Sequence, residues 1–242
     1  MERLSSGKKI NSAADDAAGF AIAERMTAQV RGLNMATKNA NDGLSMLAVI
    51  ENATNDVTDM LQRMRELAVQ AANDTNSATD RGYLQKEADA LLAEIHRVAS
   101  QTQYNGQTVL DGTYQNKAIQ VGTDAGQMVH FSVAGIDTGA LGTSSIDLVN
   151  NASSALAAIS SAIEQVSGQR AEYGALQNRL EYTVSNLMNV SEFTTAARSR
   201  IEDADFAAES ARLAKAQVLQ QTGTAMLAQA NSSSQLVLSL IR

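Results

Sequence analysis

The sequence predicts a mainly α fold: an elongated rod of long antiparallel helices, with a small β-hairpin and a C-terminal helix set aside for assembly. Three observations predict it. The 242-residue chain has no proline, so nothing covalent interrupts a long helix. Only 4% of it is aromatic and it has no tryptophan, so its core must be built from Ala, Leu, Ile, Val and Met, the side chains of helix-to-helix packing. Its last stretch, residues 216–241, carries no charge between Lys215 and Arg242, although 19% of the chain is charged.

Residues 1–19 read as a connecting segment, with Asp15 and Asp16 placed to cap the helix that follows. Residues 1–7 contain no apolar run of the kind a secretory signal peptide needs, so export would take another route. Over 20–72 the apolar residues Ile22, Met26, Val30, Leu33, Leu44, Leu47, Ile50, Val57, Leu61, Met64 and Leu67 fall mostly three or four apart, a helical stripe. One helix over that span reaches about 80 Å, while a compact domain of this size has a radius of gyration of about 18 Å, which is why a rod is expected. Gly32 and Gly43 are its weak points, and Asn41-Asp42-Gly43 is where a break could fall.

The polar turn formers Asn73 to Ser77 end that helix and start the next. Leu84, Ala88, Leu91, Ile95 and Val98 then follow at spacings of 4, 3, 4 and 3, the seam of a second helix folding back on the first. The period changes at Tyr104-Asn105-Gly106, and Ile119, Val121, Val129, Phe131 and Val133 alternate around a turn, predicting a hairpin near 118–134. Residues 135–145 are small and polar and read as an exposed tip. From Ala152 the helical period returns through Leu156, Ile159, Ile163, Val166, Tyr173, Leu176, Leu180, Leu187 and Val190, with Arg170 at one seam position. The acidic cluster at 201–205 suits the start of a last helix. The expected division is therefore 1–19 connector, 20–201 helical rod and 202–242 assembly segment.

Composition excludes several functions. A formal charge of −7 disfavours binding to nucleic acid. With no cysteine there is neither a disulfide framework nor a thiolate site. His96 and His130 stand outside any ligand-spaced or triad-like arrangement, no phosphate-binding glycine motif occurs, and the paired acids read as caps. No enzyme, metal or cofactor is expected. The charges of Glu24-Arg25, Arg63 to Glu66 and Arg179 to Glu181 read as solvated helix faces with pairs three or four apart.

The charge-free C-terminal segment is not a membrane span, because 12 of its 26 residues are Gln, Ser, Thr or Asn. It suits packing against copies of itself, since a charge in a helical array is repeated in every subunit and repels its own images. The candidate assembly residues are Val218, Leu219, Leu227, Leu236, Leu238 and Leu240.

Several stretches together resemble bacterial flagellin: Glu2-Arg3-Leu4-Ser5-Ser6-Gly7 with Ile10-Asn11-Ser12-Ala13 and Asp15-Asp16-Ala17-Ala18-Gly19; Met64 to Asn73; Gln101-Thr102-Gln103-Tyr104-Asn105-Gly106; Ala197 to Asp205; and Gln217 to Gln221 through Leu227 to Asn231 and Leu238 to Arg242. The match runs in order over nearly the whole chain. The resemblance implies a non-enzymatic subunit that polymerises into the helical filament of the bacterial flagellum, outside the cell. It implies export through the flagellar secretion apparatus, with an export chaperone and the filament cap as partners and with no membrane insertion. Typical flagellins carry a further helical segment ahead of Glu-Arg-Leu-Ser-Ser-Gly, which here follows a single Met, and a larger outer domain than fits between Val133 and Leu148. The resemblance further implies recognition by the flagellin-sensing Toll-like receptor of animal hosts through Arg63, Leu67 and Glu87, with Gln62 beside them. The alternatives are a flagellin-like hook–filament junction protein and a cell-surface binding protein. The match through the first two helices favours the filament subunit, and no aromatic-lined platform supports ligand binding.

Overall fold

In a computed structural model the backbone is described for residues 1–240 and the side chains for residues 1–231. The elements are α1 (Glu2–Ser6), α2 (Ala17–Ala71), α3 (Ala78–Gln101), the two-residue strands β1 (Gln103–Tyr104) and β2 (Gln107–Thr108), β3 (Lys117–Gln120), β4 (Met128–Phe131), α4 (Ala152–Glu202) and α5 (Phe206–Leu240). The chain forms two compact units, one of Met1–Arg31 with Ser191–Arg242 and one of Gly32–Val190, and α2 and α4 each contribute to both.

The core of the Gly32–Val190 unit is a seam on α2. Leu33, Ala36, Ala40, Gly43, Leu47, Ile50, Thr54, Val57, Leu61, Met64, Ala68 and Ala71 alternate spacings of three and four, and all are buried. That 3.5-residue period keeps one face of a helix turned toward its neighbours. Ala88, Ile95 and Ala99 of α3 and Ala155, Ile159, Ala162, Val166, Tyr173 and Leu180 of α4 share one core cluster with the apolar seam residues from Ala40 onward. α3 runs antiparallel to α2, with Arg63 meeting Glu87 near the turn and the Tyr104 hydroxyl donating to the Asp42 carbonyl (3.2 Å) at the far end. α4 also opposes α2: Gln177 donates to Glu51, and Leu187 packs with Leu33 and Ala36. The turn between α2 and α3 is closed by a reciprocal cap, in which Asp80 N–H donates to the Ser77 hydroxyl and Ser77 N–H to the Asp80 carboxylate.

Four details differ from the sequence reading. α2 does not break at Asn41-Asp42-Gly43; its glycines are landing places for the β3–β4 hairpin. A Cβ on Gly32 would lie 2.8 Å from Thr123 Cγ2, and one on Gly43 would collide with Ile119 Cδ1. The hairpin itself pairs Lys117 with Phe131 and Gln120 with Met128, so Val133 lies beyond its end. A second, smaller hairpin, β1–β2, turns through Asn105 (φ 50) and Gly106 (φ 76), the left-handed pair that a tight two-residue loop demands.

The stretch 135–145 is not an exposed tip, because Ile136 and Leu141 are buried in the core and Thr143 is buried as well. Gln85 on α3 pins the chain that follows, its amide donating to the Ile146 carbonyl (3.0 Å) and accepting from Leu148 N–H (2.7 Å). Arg170 is half-buried, but the enclosed polar atom on that part of α4 is Oε1 of Gln169, one residue earlier and four before Tyr173.

In the other unit Asp16 caps α2 by accepting from Gly19 N–H (3.0 Å), and Asp205 caps α5 by accepting from Ala207 (2.9 Å) and Ala208 (3.2 Å). Asp15 accepts from the backbone of Asn11 and Ser12, which hold its carboxyl below the usual range. Both acids at 15–16 thus serve the backbone, and among the described residues no cluster of ligands for a metal ion exists. Gly7, at φ 71, ends α1, and the chain then crosses the junction of α4 and α5.

Candidate interaction surfaces

The first surface lies across α2 and α3. Arg63 Nε donates to Glu87 Oε1 at 2.9 Å and Nη1 to Glu66 Oε2 at 2.8 Å, so one guanidinium ties two carboxylates on neighbouring helices. Arg63 and Glu87 are each about half exposed. The hydrogen bonds that Arg63 donates to Glu66 and then to Glu87 raise its pKa above the ordinary value, and the head stays charged at any physiological pH. Paired charges in water contribute little stability, so this cluster is not what holds the fold together.

Gln62 sits one face over. With Arg65, Glu66, Val69, Gln70 and Ile163 it lines an open groove of about 600 Å³ between α2 and α4. Glu66 connects the two sides, since it both accepts from Arg63 and borders the groove.

Leu67 requires a correction. The resemblance implied a contact residue beside Arg63, but Leu67 is only 1% exposed and belongs to the core. The reason is that α2 packs against both α3 and α4, which widens its buried face beyond the single seam. Leu67 therefore supports the backbone under the charged cluster and offers no surface of its own. The exposed apolar side chain here is Val69, 56% accessible, which the spacing did not single out.

The second surface is α5. Every residue from 214 to 231 is exposed. Val218 (57%), Leu219 (60%) and Leu227 (66%) stand in water, as does Met226 (71%), which the sequence reading omitted even though it lies four residues, one turn, beyond Thr222 and seven beyond Leu219. Leu236, Leu238 and Leu240 lie outside the residues whose side chains are described. Of the charged side chains at the start of α5, Arg212 pairs with Glu209 at 3.3 Å. No helix among the described residues is long and apolar enough to cross a membrane.

A third feature gave no sequence signal. Tyr104, Tyr114 and Phe131 line a cleft of about 370 Å³ where the hairpin lies on α2, with the Lys117 ammonium 5.1 Å from the Tyr114 ring centre and Phe131 5.9 Å from it. These rings are far apart in sequence and meet only because β3–β4 folds over Gly43. His96 and His130 are both exposed, His130 standing on β4 next to Phe131 and opposite Ala118.

The chain is similar to known proteins over its full length. Residues 1–115 match the bacterial flagellin N-terminal helical region, and residues 156–241 match the bacterial flagellin C-terminal helical region. A flagellin of Halalkalibacterium halodurans is 45% identical, the alignment covering 100% of this chain and 90% of that one. The flagellar filament 33 kDa core protein of Treponema phagedenis is 43% identical, covering 100% and 91%. Among solved structures, Bacillus cereus flagellin superposes with a TM-score of 0.56 at 33% identity over 62% of this chain and 88% of that one. A putative flagellar hook-associated protein of Vibrio parahaemolyticus superposes with a TM-score of 0.67 over 78% of this chain and 100% of that one; at 15% identity that likeness is one of fold.

Proposed function

The chain belongs to the bacterial flagellin family, and on that premise we propose that α5 is its self-packing element and that the Arg63 cluster is its receptor-facing surface. As a flagellin it is a structural filament subunit and not an enzyme. The observation that carries the assembly role is the exposure of Val218, Leu219, Met226 and Leu227 on a helix that has no charge between Lys215 and Arg242. Such a face gains stability only when other copies cover it, and each charge introduced there would have to be desolvated in every subunit. The test is Leu227→Lys or Ala225→Glu under polymerising salt, read by sedimentation and electron microscopy. Loss of filaments with the monomer still folded is expected; normal filaments from either variant would refute the proposal.

The receptor reading rests on family likeness together with the geometry of Arg63, Glu66 and Glu87. A fixed guanidinium flanked by two acids, with Gln62 adjacent, is the sort of preorganised polar centre that Arg-based hot spots use. The double variant Arg63→Ala with Glu87→Ala should weaken activation of the flagellin-sensing Toll-like receptor by monomer while helicity is kept. Unchanged activation would remove this surface from consideration. Export through the flagellar secretion apparatus, with a chaperone and the filament cap, is the third part of the proposal. It is carried by family membership alone and tested by the chain's appearance outside cells that have or lack that apparatus.

A further inference from the structure

The break between α4 and α5 is made by neither of the usual helix breakers, although Asp205 is placed to cap the second helix. Residues 198–210 contain neither glycine nor proline, and the central residue of the break is Ala204, the best of helix formers. What interrupts the helix is a strand-like crossing by the N-terminal segment. Asp203 N–H still donates to the Ser199 carbonyl (2.8 Å), as in a helix, but Ala204 N–H turns away and donates to the Gly7 carbonyl (2.9 Å). The Glu202 carbonyl, which a continuous helix would offer to residue 206, accepts instead from Lys9 N–H (2.7 Å) and Ile10 N–H (3.4 Å). Lys8 and Asp203 form an isolated antiparallel bridge at this point.

Three anchors hold the crossing segment. Ile10 is 3% exposed and sits where a Cβ on Gly19 would be 2.7 Å from its Cδ1, so the glycine makes room for it. Lys8 Nζ meets Glu202 at 2.5 Å, and Glu202 is also approached by Arg198, whose Nη1 donates to Thr27 on α2 (3.2 Å). On the far side α1 lies against α5. Asp205 then caps the start of α5, one residue after the diverted amide of Ala204.

We propose that residues 7–10 act as a wedge that keeps α4 and α5 apart, and that when this wedge is released the two helices fuse into one continuous helix through residues 203–205. Fusion restores the carbonyls at the end of α4 and the amides at the start of α5 to a single ladder, so the released junction has a defined alternative and is not simply loosened. The inference concerns the junction and is independent of which surface α5 offers to other copies.

The chain has no cysteine, so two can be introduced for spin labels without background. Ala196→Cys and Ala214→Cys are 18 residues apart, five turns, and would stand about 27 Å apart on one face of an unbroken helix. Lys9→Pro with Ile10→Ser removes the paired amide and the buried anchor; Lys8→Glu with Ile10→Asp removes the ion pair and the same anchor. In the labelled parent the distance distribution should depart from about 27 Å, and in both release variants it should move to a single peak there. Adding Ala204→Pro to either release variant, which bars the helix from this site, should abolish the peak. The proposal is overturned if both release variants keep the parent distribution, or if the peak appears and survives Ala204→Pro.

Discussion

α2 and α5 are long helices drawn from the same small set of residues, yet their apolar side chains have opposite surroundings. Leu61, Met64 and Ala68 on α2 are 0% exposed, covered by α3 and α4, while Leu227 and Met226 on α5 are 66% and 71% exposed. The difference is not one of hydrophobicity. α2 shows its stripe at the strict 3–4 alternation that neighbours in the same chain can fill, whereas over residues 214–231 of α5 the apolar residues stand exposed among Gln, Ser and Thr. A helix that completes its own packing stabilises the subunit; one that leaves it open is, on the reading proposed for α5, covered only by other copies.

Truncation breaks that comparison most forcefully. Leu61→Ala should destabilise the folded monomer by about 2–5 kcal/mol, because it empties a site with no room to collapse, whereas Leu227→Ala should change monomer stability by less than about 0.5 kcal/mol. Urea denaturation of the two variants distinguishes them, and similar losses would mean that α5 is packed within its own chain after all.

Glycine gives a subtler contrast. Gly43→Ala drives a methyl into Ile119 Cδ1 and should cost about 1 kcal/mol after the gain in helix propensity, with Ile119→Val restoring most of it. Gly223→Ala on α5 meets nothing within 4 Å and should raise helicity, by up to about 1 kcal/mol. Circular dichroism melts of both reveal the opposite signs.

The smallest effect is expected with acid. Hydrogen bonds from the Ser77 hydroxyl and then its N–H hold the Asp80 carboxyl below its ordinary value of 3.8. A depressed acid stabilises the fold above its unfolded pKa, so this contribution is full above about pH 5 and is lost as the pH falls through and below the ordinary value. Asp80→Asn should flatten that part of the pH–stability profile, and an unchanged profile would assign the acid sensitivity elsewhere.

The helices were legible because a period repeated over many residues is hard to produce by accident. Leu84 to Val98 and Leu156 to Tyr173 fall on the helices where their spacing put them. Short elements were not: β1 and β2 have two residues each, too few to show alternation. The burial of Ile136, Leu141 and Thr143 was hidden because a small, polar stretch has no period to reveal what folds over it. Leu67 stood in the apolar stripe from the start, and its reading as a surface contact came from likeness to the family and not from the spacing. The pairing of Lys8 with Glu202, 194 residues away, and the gathering of Tyr104, Tyr114 and Phe131 are products of tertiary folding alone. The Arg63–Glu66 pair was readable from its spacing; the reach of Arg63 across to Glu87 came from likeness to the family and not from spacing.

Gly32 and Gly43 lie 11 residues apart, almost a whole number of turns, so they open two notches in line about 16 Å apart along α2. Thr123 occupies one and Ile119 the other. A hairpin resting on a smooth helix could settle one turn up or down at little cost, because one row of Ala and Leu looks much like the next. Two notches at a fixed interval act as a key with two teeth: displaced by a single turn, both teeth strike side chains at once. In a monomeric protein such a slip would be a minor defect, but a lattice repeats whatever shape it is given, and every copy must carry its surface relief at the same height. The missing methyl groups thus serve as a gauge, making each subunit interchangeable with the next.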